Sequence, residues 1–332
     1  MFLKKTLSAC LMSCFVYSLG VESVENSIVP MIEKFEDVGN LPVSKYSKNQ
    51  YAEITSVLNR MEERIRLVTY NILFDFHDHN LDEVNRWPQR LPRIVELIEE
   101  MQPDIIGVQE LYPNQLEDLQ PHMEHVFAFY AKTCVDGELN GIFYRKDRFA
   151  VINSKVWYMT TTPDIPNSET LTMIQLRDLK SEKCVAVFNT HLAFSKVNKR
   201  EFQARFIADK IELFAKEMPI VLTGDMNTFQ NRLDLSKLPF YDGDYIQRIL
   251  TQKHLRDAKD VSLLGHLGPI ATFSNAADDG IPFKGTGTPG IFLDHIYISQ
   301  GVNVIIHAVQ PGTVQGHYPS DHLPVLIDVI VD

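Results

Sequence analysis

Short β-rich runs outnumber helical runs by about two to one from Arg64 onward, and this ratio constrains the fold more than any other feature. The runs Ile65 to Ile72 and Leu323 to Val331 are apolar segments of the kind that buried strands have. Helical periodicity is clear around Ile94 to Met101 and from about Lys199 to Lys216. A doubly wound fold alternates strands with helices, so the excess of strands argues against it. The sequence instead predicts a layered α/β sandwich, with two mixed β-sheets packed face to face and helices outside.

Polar residues recur where these strand runs begin or end. Six such places carry Asn71, Glu110, His191, Asp225 with Asn227, Asp294, and Asp321 with His322. Any one of them could be a cap or turn residue. The same kind of residue at six places indicates chemistry, because scaffolds carry functional groups on strand ends and loops. Carboxylate and amide oxygens suit a hard cation such as Mg²⁺, imidazoles can hold phosphate oxygens, and a carboxylate can accept a proton from water.

Residues 1–20 have the features of a secretory signal peptide. Lys4 and Lys5 precede an apolar stretch from Leu7 to Leu19, and small residues, Ser18 and Gly20, precede a predicted cut after Gly20. The stretch is shorter than the ~20 residues that a spanning helix needs. We therefore predict export to the periplasm or the medium, with a lipoprotein cut before Cys14 as the alternative.

Residues 21–63 show no strong period and include Pro30, Gly39 and Pro42. We predict a linker or a partly ordered arm, with a short helix near residues 52–61, followed by one domain over residues 64–332.

The predicted mature chain is acidic. Without Lys4 and Lys5 it has 30 basic against 43 acidic side chains, a formal charge of −13. This balance argues against a protein that coats nucleic acid, although a bound cation can supply positive charge locally. Cys134 and Cys184 remain after the leader is removed, and whether they pair stays open.

Seven segments occur together in one order: TYNI (69–72), PDIIGVQE (103–110), FYRKDRF (143–149), FNTHL (188–192), LTGDMN (222–227), LDHIYIS (293–299) and YPSDHLPV (318–325). Through them the chain from about Arg64 to Asp332 resembles the endonuclease/exonuclease/phosphatase superfamily of metal-dependent phosphoesterases. That superfamily includes pancreatic deoxyribonuclease, abasic-site endonucleases and bacterial sphingomyelinases. The chain is similar to a bacterial branch of uncertain substrate.

The resemblance implies a role for each polar residue. Glu110 matches the metal-binding carboxylate, Asn71 the amide beside it, and Asp321 a second carboxylate near the metal. Asp225 matches the group that orients or deprotonates the attacking water, and Asn227 the amide that steadies the phosphorane. His191 and His322 match the histidines that flank the phosphate, and Asp294 the partner of His322. The implied cofactor is Mg²⁺, or Mn²⁺ in its place.

The function implied is that of an exported, Mg²⁺-dependent phosphoesterase that cleaves phosphodiesters by metal-assisted water attack, with nucleic acid as the expected substrate and a monomer as the expected state. The alternatives are a phospholipid phosphodiesterase of the sphingomyelin type, acting on headgroups, and a non-catalytic binding domain on the same fold.

Two departures from the family pattern bear on the substrate. Ala193 replaces a residue that is often polar in the family, and Phe292-Leu293 replaces an Arg-containing pair. The loop 271–290 lies where members of the family differ in substrate choice.

Overall fold

The computed structural model describes residues 56–57, 59–76, 78–134, 137–159, 169–194, 196–230, 233–273, 291–310 and 313–332. The predicted signal peptide, residues 21–55 and 58 of the predicted arm, and residues 274–290 of the predicted specificity loop lie outside the described residues. Of the short helix predicted near residues 52–61, residues 56, 57 and 59 are described and are helical. Within the described ranges, no helix is both long and apolar enough to cross a bilayer.

Thirteen strands are present in the described part of the chain. They are β1 (Ile65–Asn71), β2 (Ile105–Leu111), β3 (Phe127–Tyr130), β4 (Leu139–Arg145), β5 (Phe149–Tyr158), β6 (Thr170–Asp178), β7 (Cys184–His191), β8 (Ile220–Asp225), β9 (Arg256–Asp257), β10 (His266–Leu267), β11 (Asp294–Ile298), β12 (Val302–Val309) and β13 (Val325–Val331). They form a seven-stranded sheet in the order β10-β12-β13-β1-β2-β4-β3 and a six-stranded sheet in the order β5-β6-β7-β8-β11-β9.

The α-helices of the described residues are α1 (Trp87–Met101), α2 (Pro113–Met123), α3 (Val197–Phe214), α4 (Tyr245–Thr251) and α5 (Ala258–Val261). Helix α1 joins the parallel strands β1 and β2, and α3 joins the parallel strands β7 and β8. Each parallel pair has antiparallel neighbours, β13 and β4 in one sheet and β11 and β6 in the other. The two sheets therefore share the same central arrangement.

Strand alternation divides the core into layers. In β1, Ile65 and Leu67 pack between the sheets with Val187 and Val221 of the opposite sheet. Alternate positions of β1, such as Val68, pack with α1 and α2 on the outer face. A third apolar cluster lies between the six-stranded sheet and helices α3 and α4. These layers confirm the predicted α/β sandwich of two mixed sheets with helices outside.

A polar layer crosses from one sheet to the other near the strand ends. The Asn189 amide nitrogen donates to the carbonyls of Val108 (2.8 Å) and Gly141 (2.9 Å) in the seven-stranded sheet. Its amide oxygen accepts from Gln109 Nε2 (2.6 Å) and from Thr223 Oγ1 (3.0 Å). These groups are buried, so their hydrogen bonds offset the cost of removing them from water and fix the relative position of the sheets.

Some local predictions differ from the structure. The helix predicted over residues 199–216 runs from Val197 to Phe214. Strand β5 was not predicted because it is an edge strand with a β-bulge between Val151 and Asn153, so its apolar residues do not alternate regularly. Cys134 and Cys184 do not form a disulfide with each other.

Candidate active site

Strand register aligns three of the predicted site residues in one row across the six-stranded sheet. His191 at the end of β7 pairs with Asp225 at the end of β8, and Asp225 pairs with Asp294 at the start of β11. Asp225 lies on the same face of β8 as Val221, and Asp294 lies on the same face of β11 as Ile296. Both faces point between the sheets. The interior face thus changes from apolar to ionisable at this edge, and both carboxylates are buried.

Asn71 and Glu110 come from the facing sheet. Asn71 ends β1 on the side of Ile65 and Leu67, so its side chain is also directed between the sheets. Glu110 lies in a register shift between Val108 and Leu111 and has a φ of 56°. This bulge re-aims the Glu110 side chain, whose Oε1 accepts from Asn71 Nδ2 at 3.0 Å.

His191 is held by a carboxylate that the sequence analysis missed. Its Nδ1 lies 2.9 Å from Glu138 Oε1, and Glu138 Oε1 also accepts from the Glu110 backbone N–H at 3.1 Å. On the other side of the ring, Nε2 lies 3.0 Å from Asn227 Nδ2. Asn227 is fixed by donating to the Leu192 carbonyl at 2.8 Å.

His322 has the same kind of support. Its Nδ1 lies 2.7 Å from Asp294 Oδ2, and its backbone N–H donates to Ser320 Oγ. Ser320 Oγ donates to the Asn71 carbonyl at 2.7 Å, which ties the His322 loop to the end of β1. Both histidines are therefore oriented through a contact at Nδ1, and the Nε2 atom of each ring lies near Asp225.

Asp225 lies at the centre of the site. Its Oδ1 accepts from the Asn227 backbone N–H at 2.9 Å. Its Oδ2 lies 3.2 Å from Asn71 Nδ2, 3.5 Å from His191 Nε2 and 3.7 Å from His322 Nε2. One carboxylate oxygen thus faces an amide from one sheet and two imidazoles.

Burial and charge pairing shift the protonation of these groups. Burial lowers the pKa of His191, but the Glu138 carboxylate outweighs it and raises the pKa to about 10. Burial acts in the same way on His322, and the nearby Asp294 and Asp225 carboxylates raise its pKa well above the ordinary value. Burial raises the pKa of Glu110 to about 7, with a contribution from Asp321. Burial and Asp294 also raise the pKa of Asp225.

The donor set fits a hard divalent cation. Glu110 and Asp321 offer carboxylate oxygen atoms, while Asn71 directs Nδ2 towards Glu110 and its Oδ1 accepts from the Leu73 backbone N–H at 3.1 Å. Burial raises the pKa of Glu110, and a cation beside it would stabilise its ionised form. Asp294 Oδ1 is buried without a hydrogen-bond partner, and Asp225, Asp294 and His322 have ligand atoms within 4.8 Å of one another. A cation would offset the mutual repulsion of these carboxylates.

Two buried arginines of α1 support the loops that carry these groups. Arg90 donates to the carbonyls of Ile72 (2.6 Å), Leu73 (2.8 Å) and Pro319 (3.3 Å). Arg93 reaches the Tyr318 carbonyl at 3.4 Å. The loop after β1 and the loop before His322 are therefore held to the same helix.

The comparison with known protein families decides the relationship. Residues 68–322 match the sequence model of the Endonuclease/Exonuclease/phosphatase family. The chain belongs to this family. Members of the family are phosphoester hydrolases, and the chain is one of these enzymes.

Solved structures of the family share this fold. An endonuclease/exonuclease/phosphatase from Bacteroides vulgatus is 24% identical, with a TM-score of 0.67 over 81% of this chain and 99% of that one. A mannosyl-6-phosphatase from Bacteroides thetaiotaomicron is 22% identical, with a TM-score of 0.66 over 80% and 99%. TDP2 from D. rerio, complexed with a single strand DNA product, is 17% identical, with a TM-score of 0.59 over 81% and 99%.

The structure brings the predicted site residues of this family member together at one edge of the sandwich. Asn71, Glu110, His191, Asp225, Asn227, Asp294 and His322 are linked by the contacts above. Asp321 joins them through Ser320, whose hydroxyl lies 3.3 Å from Asp321 Oδ1. His295, next to Asp294, faces the other way and pairs with Asp257 at 2.9 Å. The catalytic roles implied for the eight residues stay predictions.

Proposed function

We propose that the protein is an exported, Mg²⁺-dependent phosphodiesterase with nucleic acid as its substrate class. The observation that carries the proposal is the position of Asp225 Oδ2 between two histidines, each of which has its own carboxylate partner. A carboxylate at that place can orient water and accept its proton, while two cationic imidazoles bind the non-bridging oxygens of a phosphate.

Each residue has a defined part in this mechanism. Asp225, fixed by the Asn227 backbone, aligns the water and takes its proton. His191 and His322 stabilise the charge that develops on the phosphate oxygens, and Glu138 and Asp294 keep their rings oriented. Glu110, Asn71 and Asp321 would hold the cation, which supplies Lewis-acid stabilisation when bound. We assign to Asn227, whose side-chain amide lies 3.0 Å from His191 Nε2, the part of steadying the phosphorane that the family resemblance implies.

Substitution of Asp225 tests the mechanism. We expect Asp225→Asn to lower kcat by ~10²-fold or more on bis-p-nitrophenyl phosphate with Mg²⁺, because the amide cannot accept the proton. Chelation should abolish wild-type turnover, and circular dichroism should show an intact fold. The matched control is Asp244→Asn, an exposed residue paired with Arg248, which should leave kcat unchanged.

Two results would contradict the mechanism: full activity of Asp225→Asn under the same metal, or wild-type turnover that survives chelation. Parallel assays with DNA, RNA, sphingomyelin and mannose 6-phosphate assign the substrate class. Faster turnover of sphingomyelin or of the sugar monoester than of either nucleic acid would replace that part of the proposal.

Export has its own test. The full chain, expressed with its own leader in a bacterial host, should accumulate outside the cytoplasm as a product that begins at Val21, measured by N-terminal mass spectrometry. Cys14→Ala should not change processing if the leader is a secretory signal peptide, whereas it would block a lipoprotein cut before Cys14. An unprocessed cytoplasmic product would contradict export.

A further inference from the structure

Two phenylalanine rings form a shelf next to the active site. Phe194 follows His191 by three residues, and its ring centroid lies 4.9 Å from that of Phe240, with the planes 38° apart. Phe240 in turn packs 5.3 Å from Phe229, which follows Asn227 by two residues. The Phe194–Phe240 shelf is thus attached directly to the two strand ends that carry His191 and Asn227.

A buried arginine holds the shelf in place. Arg200 of α3 pairs with Asp242 through Nε at 2.9 Å, and both side chains are fully buried. The same guanidinium donates to the carbonyls of Ala193 (2.9 Å), Phe194 and Phe240. Asp242 Oδ1 also accepts from the Phe229 backbone N–H at 3.0 Å. Because one ion pair fixes both turns, the shelf is preorganised, and a ligand would not have to order it.

The Phe194 side chain is not part of the apolar core. The residue is 51% exposed, although its backbone carbonyl is bound by Arg200 of the fully buried Arg200–Asp242 ion pair. An exposed aromatic side chain beside a polar reaction centre offers a flat apolar face that a planar or ring-shaped part of a substrate can cover. Because Phe194 follows His191 by only three residues, we take the group esterified to the phosphate as the part of a substrate nearest this ring.

The charges around the site favour an unpaired base over a duplex. Proteins that track duplex DNA neutralise several phosphates with exposed Lys and Arg. Here Arg90 and Arg200 are fully buried and bound to carbonyls, and Lys199 pairs with Glu169 at 2.7 Å, which leaves Lys196 as the exposed cation that follows Phe194 in the sequence. Stacking of bases on aromatic rings supplies affinity without that charge, and it needs a base whose face is not already covered by neighbours.

We propose that the Phe194–Phe240 shelf stacks an unpaired nucleobase beside the phosphate that is cleaved, and that the enzyme therefore acts on single-stranded nucleic acid rather than duplex. This inference rests on the proposed phosphodiesterase function. It assigns the shelf as a binding subsite, in which Phe194 contacts the substrate and Arg200 positions Phe194.

The test compares strands with and without bases. The substrates are a single-stranded thymidylate 12-mer, the same backbone with every base removed, and the thymidylate paired with its complement, each with Mg²⁺ and analysed by chromatography. We expect the wild type to prefer the single strand over both others. Phe194→Ala should lower kcat/KM on the thymidylate by about tenfold, mainly through KM, because the base loses the ring on which it stacks. It should leave cleavage of the abasic strand unchanged.

Three further variants separate stacking from packing. Phe194→Trp should keep the preference for bases, and Phe194→Leu should lose it although it remains apolar. Leu213→Ala, an exposed position on α3, is the control and should match the wild type.

Two results would overturn the shelf assignment. One is an equal loss of kcat/KM on the thymidylate and on the abasic strand in Phe194→Ala, and the other is a wild type that cleaves these two strands equally well. A Phe194→Ala effect confined to mannose 6-phosphate would also overturn it. Wild-type turnover of bis-p-nitrophenyl phosphate would show in each case that the proposed function still stands.

Discussion

Glu138 and Asp294 perform equivalent tasks for the two histidines of the site. Each carboxylate contacts Nδ1 of one ring, at 2.9 Å for His191 and 2.7 Å for His322. The contact selects the orientation in which Nε2 faces Asp225, and it stabilises the charged ring. A phosphate that enters the site would therefore meet two cations whose positions are already fixed.

Removal of the Glu138 charge should change the protonation of His191. We expect Glu138→Gln to lower the His191 pKa from about 10 towards its ordinary value, because the carboxylate is what outweighs the effect of burial. The imidazole would then lose its proton at a lower pH. The basic limb of the pH–rate profile should move to lower pH, and ¹H NMR titration of the His191 ring in metal-free protein checks the shift directly.

Glu117→Gln on the exposed face of α2 is the matched control, since it removes the same charge away from the site. The interpretation fails if the two variants give the same pH–rate profile.

At the scale of elements, apolar runs with polar ends made the two-sheet fold and the strand-end residues predictable. Both faces of β1 and β8 are buried, so the pattern alone does not reveal that Asn71 and Asp225 lie between the sheets. Glu138 could not be found in this way, because its contact with His191 depends on how the loop before β4 returns to β7. The shelf was missed for a similar reason: Arg200 lies in a helix, and its three carbonyl partners belong to two loops, Ala193 and Phe194 to one and Phe240 to the other.

The close approach of the two sheets should make Gly107 intolerant of any side chain. A Cβ there would lie 2.2 Å from Thr223 Oγ1 and 2.6 Å from Asn189 Oδ1. We expect Gly107→Ala to lower the free energy of unfolding by ~1–3 kcal/mol, since the polar layer must shift to admit the methyl group. Urea denaturation measures the change.

Leu213→Ala, at an exposed position, should stay within ~0.5 kcal/mol of the wild type in the same measurement. A Gly107→Ala protein as stable as that control would show that the sheets adapt more readily than their packing indicates.

At the scale of the whole molecule, a buried ion pair joins β1 and β13. These are the first and last of the described strands in chain order, and they are neighbours in the seven-stranded sheet. Arg66 in β1 binds Asp328 in β13 through two hydrogen bonds, at 2.7 and 2.8 Å, and Arg64 adds a third at 3.2 Å. Burial alone would raise the pKa of Asp328, but the two arginines outweigh it and hold the pKa below the ordinary value. The pair therefore links pH to global stability.

The sign of this linkage follows from the lowered pKa. Asp328 is ionised in the folded protein at pH values where the unfolded chain, with a pKa of ~3.9, has already bound a proton. Its contribution to stability is complete above that unfolded pKa and is lost as the pH falls through the folded pKa. We expect Asp328→Asn to cost about 3 kcal/mol at pH 6, and the difference from the wild type to shrink at acidic pH. Urea midpoints from pH 6 to pH 3 measure it.

The exposed Asp147, paired with Arg145, provides the comparison. Asp147→Asn should cost less than ~1 kcal/mol at every pH, because solvent screens that pair. A constant difference between Asp328→Asn and the wild type across the range would contradict the assignment.

The same strand pairing governs when activity can arise during biosynthesis. Residues that touch across β1 and β13 are separated by 262 positions in the chain, as for Arg66 and Asp328, and His322 immediately precedes β13. A nascent polypeptide that has reached only β8 already carries Glu110, His191 and Asp225, yet it lacks the second imidazole and the strand that completes the sheet. If His322 has the proposed role, catalysis waits until the segment around β13 has left the ribosome, and we expect translation products that end before His322 to be inactive.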